Sequence, residues 1–339
     1  MIEFIRNTSN QNTRKTYEQG MNIYKQWCIE HNPVLSFKEE EITDNDVAEF
    51  AQYSVVNKGL AYSTVVNRIA AINDHVRYVK NRENNSLMQS VIVSRMLKVL
   101  ERITPSVRSM GLCSINHLRT ILLYMKSNEH IKLMAINKPR KRTMDRDLLM
   151  FVFARVFMLR ASEITLVKHG HIKMNLESAI EDVANTPLTM IVTLYQSKNL
   201  KPGETHERQT VLADVEFEEL CAIRLYMNYI INHYSTKSKE ELSSEYVFLQ
   251  IGNGKILSRS TPNHRLQYWI KEAKIQNNAN DKICFHGLRA GAATDAAHAN
   301  IPIHLIMRYG HWKSNAGLLY IRESVHDKNI VSSHIINKQ

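Results

Sequence analysis

HGLRAGAATDAAHANIPIHLIMRYGHWKSNAGLLYIRES, residues 286–324, sets His286, Arg289, His311, Trp312 and Tyr320 at definite intervals along what reads as three short helices. His286 and Arg289 are three apart, so a helix presents them on one face. Asn300 and Pro302 end that helix, IPIHLIMRYG makes another with Gly310 as its C-cap, and His311 follows at once. Tyr320 lies nine residues after His311, on a last short helix that Ser314 or Asn315 caps. Singly, each has an ordinary explanation: a surface hydrogen bond for the HxxR pair, core packing for the tyrosine.

Upstream, RDLLMFVFARVFMLRASEITLV (146–167) is apolar nearly all round, which predicts a buried helix ending in the polar residues Arg160, Ser162 and Glu163. Charge buried there needs a partner. The period then changes. In TPLTMIVTLYQSKNLKPGETHERQTVLA (186–213), Thr189, Ile191, Thr193 and Tyr195 alternate with Met190, Val192 and Leu194, and RQTVL returns as a second strand. Lys198 and Lys201 fall at the turn of this hairpin, beside Pro202-Gly203. Before the apolar helix stands the densest basic run, NKPRKRTMDR (137–146), with Lys138, Arg140, Lys141 and Arg142. Such a run is most often a solvated loop, and it also suits contact with DNA phosphates or nuclear targeting.

The first hundred residues repeat one kind of element. Tyr17, Met21, Tyr24 and Trp27/Cys28 give one helix an apolar face. Thr43 caps a second with Val47, Phe50 and Ala51; Ser63 or Thr64 caps a third with Val65, Val66, Ile69, Ile72 and Val76; Ser86 begins a fourth with Leu87, Val91, Met96 and Leu100. Pro105 and Gly111 in ITPSVRSMG (103–111) break the pattern. The expected division is a helical domain at 1–104, a linker at 105–112, a second domain at 113–325 and a tail at 326–339.

A formal charge of +11 and a pI near 9.4 favour a polyanionic partner, because basic side chains that neutralise phosphates release condensed counterions. Nucleic acid leads; a membrane surface would need a basic amphipathic segment or a lipidation signal, and neither occurs. No apolar run approaches the roughly 20 residues of a membrane span, and MIEFIRNTSNQ lacks the apolar centre of a signal peptide, so an intracellular protein is expected. The four cysteines, Cys28, Cys113, Cys221 and Cys284, form no CxxC pair and read as reduced packing residues. No phosphate-loop or dinucleotide motif points to a cofactor, and no carboxylate cluster to a metal.

Taken together, Arg160 in MLRASEI, Lys198 in the hairpin, His286 and Arg289 in HGLR, His311 in GHW and Tyr320 in LLYIRES resemble, in identity, order and separation, the tyrosine recombinase (phage-integrase) family. Glu163 matches its supporting acidic residue. GAATDAAHANIP and GHWKSNA are most similar to the recombinases of Crypton- and DIRS-type eukaryotic mobile elements. The resemblance covers roughly 113–325 by motif and the N-terminal bundle by architecture. It departs from the family at Phe157-Met158-Leu159, where Thr-Gly-Leu is frequent, and at Ala290, where a histidine is frequent.

The resemblance implies a mostly α fold with a small β-sheet: an N-terminal helical core-binding (SAM-like) domain and an α+β catalytic domain. It implies site-specific cleavage and rejoining of double-stranded DNA through a 3′-phosphotyrosyl intermediate, without cofactor or metal, by a homotetramer in the synaptic complex. The nucleus is the implied location if the host is eukaryotic. In this scheme Arg160 and Arg289 clamp the non-bridging oxygens, and His311 adds a neutral donor. His286 helps to accept the proton that Tyr320 loses, and Lys198 protonates the leaving 5′ oxygen. Lys201 is the competing choice for the lysine; Lys198 is preferred because SKN continues the strand. Glu163 orients Arg160 or its helix end. The rival readings are an inactive DNA-binding regulator of the same fold and type IB topoisomerase-like relaxation.

Overall fold

The computed structural model describes residues 11–31, 42–79, 86–104, 111–127, 138–175, 189–211, 219–277 and 282–321. The chain divides into two compact units, one within residues 1–107 and one within 108–339. The linker proposed from sequence lies, apart from Gly111 and Leu112, outside the described residues, as does the 326–339 tail.

The first unit contains α1 (Gln11–His31), α2 (Asp44–Val56), α3 (Tyr62–Val79) and α4 (Val91–Ile103). Their apolar faces meet in a core of Tyr24, Trp27, Phe50, Val65, Ile69, Ile72, Val76, Leu97 and Leu100. Thr43 caps α2 as expected: its hydroxyl accepts from the Asp46 N–H while the Asp46 carboxylate accepts from the Thr43 N–H at 3.0 Å. Two expected caps are corrected. Helix α3 starts at Tyr62, so Ser63 and Thr64 lie inside it. Ser86 introduces only a 3-10 turn, Leu87–Gln89, because the Asn73 side chain takes the Leu87 N–H at 2.8 Å; α4 starts after Ser90.

In the second unit, α5 (Ile115–Met125), α6 (Lys138–Val156), α7 (Ala161–Ile164), α8 (Ala222–Tyr234), α9 (Lys239–Ser243), α10 (Thr261–Glu272) and α11 (Phe285–His298) pack around one core, while α12 (Ile303–Tyr309) joins a smaller cluster of Met158, Ala293 and Ile306. A small antiparallel sheet, β1 (Ile172–Asn175), β2 (Thr189–Leu194) and β3 (His206–Val211), pairs in the order β1-β2-β3, with Val192 opposite both Ile172 and Arg208. Met190, Val192 and Leu194 turn into the core, as their alternation predicts.

The basic run is not a loop: from Lys138 it forms the first turns of α6. That helix is buried from Arg146 to Arg155, and the charges there are partnered. Asp147 accepts from Arg146 Nη2 at 2.6 Å, Arg265 Nε at 2.6 Å and Trp269 Nε1 at 2.9 Å, while Arg155 pairs with Asp295 and the Cys113 carbonyl. Nor does the apolar helix run unbroken to Glu163. After Val156 the chain closes a Schellman turn, with Leu159 N–H donating to Ala154 O at 2.9 Å, Met158 N–H to Arg155 O at 3.1 Å, and Met158 at φ 45. The left-handed residue falls where the resembling family often has glycine.

All four cysteines are unpaired. Helix α11 lies close against residues 111–113: a Cβ on Gly287 would sit 2.2 Å from the Gly111 carbonyl, so only glycine permits that approach.

Candidate active site

Glu163 stands at the centre. Its side chain is 1% exposed, and its carboxylate binds Arg160 twice, to Nη1 at 2.5 Å and to the backbone N–H at 2.8 Å. Ser197 Oγ donates to it at 2.7 Å, and the guanidinium groups of Arg208 and Arg289 lie 3.7 and 3.8 Å away. Burial pushes the Glu163 carboxyl up, but Arg208 and Arg160 outweigh that and carry it down to about 2, so it is ionised at any working pH.

Arg289 emerges from α11 and is wholly buried. Its Nη1 donates to the Met158 carbonyl at 2.5 Å and its Nη2 to the Gly310 carbonyl at 2.6 Å, so it bridges the C-terminal ends of α6 and α12. The Trp312 ring covers its guanidinium at 4.2 Å. Burial, then the nearby charges of Arg160 and Arg208, depress its pKa to about 9, still well above neutrality. Trp312 fits there because Gly310 has no side chain; a Cβ would lie 1.9 Å from the indole. Gly310 itself is helical (φ −71), and the left-handed residue is His311 (φ 54), whose N–H donates to Arg308 O at 3.0 Å while Trp312 N–H reaches Met307 O at 2.9 Å.

One turn before Arg289 on α11, His286 Nε2 lies 2.9 Å from the Tyr320 hydroxyl. Tyr320 closes a 3-10 turn, Asn315–Tyr320; its carbonyl accepts from Thr294 Oγ1 at 2.8 Å and its ring packs 5.3 Å from that of Trp312. Burial, followed by Arg289 and Arg160, lowers the His286 pKa to about 4. His286 is therefore neutral near pH 7, and in the tautomer protonated on Nδ1 its Nε2 accepts the hydrogen bond of the Tyr320 hydroxyl. His311 is also lowered, by burial and then by Lys313 and Arg208, and its ring stacks 4.2 Å from that of His206.

Lys198 is exposed, in a turn where Leu200 N–H donates to Ser197 O; the strand itself stops at Leu194. Both neighbours of Lys198 are tied to the site: Ser197 to Glu163 and Arg160, and Asn199 through its Nδ2, 2.9 Å from the His311 carbonyl. Lys201 belongs to a second turn, where its N–H donates to Glu204 at 2.9 Å. Arg140 and Lys141 are exposed on the first turns of α6. Arg142 lies over the Tyr234 ring at 4.7 Å, and the Lys138 side chain is outside the described residues.

The structure thus brings Arg160, His286, Arg289, His311 and Tyr320 together around Glu163, with the Lys198 turn pinned beside them. Among the described residues no group of three or more His, Cys, Asp or Glu is placed to hold a metal ion, and no helix is long and apolar enough to cross a membrane.

The model of the phage integrase family matches residues 124–321, more than half of the chain. The protein belongs to the phage integrase family. Its fold is similar to that of the XerH site-specific recombinase bound to palindromic difH substrate in a post-cleavage complex (16% identity over 96% of this chain and 80% of that one, TM-score 0.62). It is also similar to the Tn1549 transposon integrase in complex with circular intermediate DNA (14%, 97% and 96%, TM-score 0.61) and to a lambda integrase tetramer bound to a Holliday junction (14%, 96% and 77%, TM-score 0.60). No curated protein sequence matches the chain at a significant level.

In this integrase-family chain, sequence reasoning missed Arg208, Ser197, Asn199, Thr294 and His206. Arg208 had a signal: it alternates with the outward Glu207 and Gln209 on a strand, which places a charged side chain on the core face.

Proposed function

We propose that this protein cleaves and rejoins DNA strands at specific sites by transesterification, with Tyr320 as nucleophile. The observation that carries the reading is the 2.9 Å approach of a neutral His286 to the Tyr320 hydroxyl, on the same helix as an arginine fixed beside that tyrosine. The tyrosine oxygen attacks a backbone phosphorus and its proton passes to His286. Arg289 and Arg160 neutralise the non-bridging oxygens of the pentavalent state, and His311 donates to them. The bond to the 5′ oxygen breaks, and that oxygen takes a proton from Lys198, leaving a 3′-phosphotyrosyl linkage. Attack by a second strand's 5′ hydroxyl reverses these steps and rejoins the DNA.

Double-stranded DNA is the partner. The positive charge of the chain supports this, as does the DNA named with the XerH, Tn1549 and lambda proteins of like fold. The first unit acts as the core-binding domain at 1–104, and the second as the catalytic domain at 113–325. A homotetramer is the working form on paired duplexes, by analogy with the lambda tetramer on a Holliday junction. The protein works inside the cell, in the nucleus if the host is eukaryotic.

The test uses duplex DNA from candidate element ends, with a nick beside the scissile phosphate so that the released fragment diffuses away. A denaturing gel should show protein joined to the 3′ end with wild type and none with Tyr320→Phe, which should still bind the duplex. An adduct that persists in Tyr320→Phe would remove Tyr320 as the nucleophile.

A further inference from the structure

We infer that Arg208 is a positioning residue for DNA cleavage, fixing the turn from which Arg160 departs and the carbonyl that holds Arg289. The inference rests on the transesterification reading above. Arg208 projects from β3, and its side chain is buried against the end of α6, where its guanidinium is engaged by backbone carbonyls. Its Nη1 donates to the carbonyls of Phe157 and Met158, the latter at 2.6 Å. The Met158 carbonyl is the same atom that accepts from Arg289 Nη1. One oxygen, in a left-handed turn two residues before Arg160, therefore sets the height of one arginine and the direction of the other.

Tyr309 repeats the stitch: its hydroxyl lies 2.8 Å from the Val156 carbonyl and 2.9 Å from that of Gln209, again joining the end of α6 to β3. Strand β3 begins directly after the turns that carry Lys198 and Lys201. The position of the hairpin lysine and the aim of both arginines are thus referred to one buried guanidinium. Arg208 also supplies the second positive flank of Glu163. Burial, offset by Glu163, lowers its pKa. A buried methionine or leucine would fill the same space without the desolvation of a charge, at the loss of one cation facing Glu163. What an apolar side chain would not do is tie two carbonyls at a helix end to the strand behind the lysine.

The test compares wild type, Arg208→Lys and Arg208→Met in single-turnover cleavage of the nicked duplex. Two substrates are used, one with a normal scissile phosphate and one with a methylphosphonate there, in which a neutral methyl replaces a non-bridging oxygen. A misplaced arginine matters less when one oxygen carries no charge. Misaiming by about 1 Å costs about a hundredfold, so both variants should lose that factor on phosphate and far less on the methylphosphonate, with DNA affinity unchanged. Equal slowing on both substrates, or an Arg208→Lys protein as fast as wild type, would overturn the inference. Reactions run well below the melting temperatures of the proteins compared, and if Arg208→Met does not fold, the Arg208→Lys comparison decides. A wild-type protein that forms no adduct would instead overturn the underlying reading.

Discussion

Replacing Glu163 by glutamine keeps the shape of the side chain and removes the one negative charge that Arg160, Arg208 and Arg289 share. The cost can be worked from the structure. The carboxyl ionises at about 2 in the folded protein against an ordinary 4.5, and each pH unit between those values corresponds to about 1.4 kcal/mol, so the folded surroundings favour the carboxylate by about 3 kcal/mol. With its side chain 1% exposed, solvent screening takes little of this away. Stripping one partner from a buried ion pair costs about 3–5 kcal/mol, which agrees. For a unit of this size, about 3 kcal/mol lowers the melting temperature by roughly 6–12 °C. The sign with pH follows from the lowered pKa: the stabilisation is complete above 4.5 and is lost as the pH falls towards 2. Calorimetry of wild type and Glu163→Gln at neutral pH, following the transition of the second unit, is the direct assay. Transitions within about 1 °C of each other would show that the carboxylate does not hold the arginines together.

Three further outcomes follow from the same geometry. Lys198→Ala should slow strand cleavage by about 10²–10⁴-fold, the usual worth of a general acid, whereas Lys201→Ala should cleave at close to the wild-type rate; the reverse pattern in single-turnover assays would exchange their roles. His169 is buried with its Nδ1 2.8 Å from the Tyr226 hydroxyl, and burial, then Lys237, lowers its pKa to about 4, so it stabilises the fold fully above 6.5. That contribution, on the order of 3 kcal/mol, should disappear as the pH falls from 6.5 to about 4, and urea titrations of His169→Gln should show a shallower loss over that window than wild type. Gly310→Ala should displace Trp312 from Arg289, costing about 1–3 kcal/mol by overpacking; indole fluorescence unchanged from wild type would mean that the ring had not moved.

The sequence carried the parts of the fold that depend on local periodicity. The apolar stripes of α1 to α4, the alternation of β2, and the His286 to Tyr320 order all follow from residues close together in the chain. Three features were illegible for physical reasons. Strand β1 is four residues long, too short for an alternation to register. Dense charge such as that of the basic run most often marks a solvated loop, yet here it forms the exposed first turns of a helix whose apolar part comes later. The end of α6 was overrun because Phe157-Met158-Leu159 contains neither glycine nor proline; its stop comes from a turn whose carbonyls are held by arginines about 50 and 130 residues further on. Arg208 belongs to the same class, since a single charged residue on the inward side of a strand acquires meaning only when the carbonyls opposite it are known.

Those held carbonyls explain how the fold tolerates its own site. Arg160, Arg208 and Arg289 face a single carboxylate, so the cluster carries a surplus of positive charge in a buried place; burial first, and then the charges of Arg160 and Arg208, depress the Arg289 pKa to about 9. A further carboxylate would relieve it, but would also repel a phosphate. The chain uses helix C-termini instead. The ends of α6 and α12 both finish in Schellman turns with a non-glycine residue in the left-handed position, Met158 and His311, and these ends direct the carbonyls of Met158 and Gly310 at Arg289. The Gly310 carbonyl lies at the negative pole of α12 and the Met158 carbonyl in the turn that closes α6, so both stabilise a cation without adding a mobile or protonatable anion. They offset the desolvation of the arginines while leaving the net charge of the cluster positive. The backbone strain at Met158 and His311, on the order of 1 kcal/mol or more each, and the exclusion of a side chain at Gly310 are then consequences of one requirement of the proposed reaction: guanidinium groups held in fixed positions and neutralised only in part.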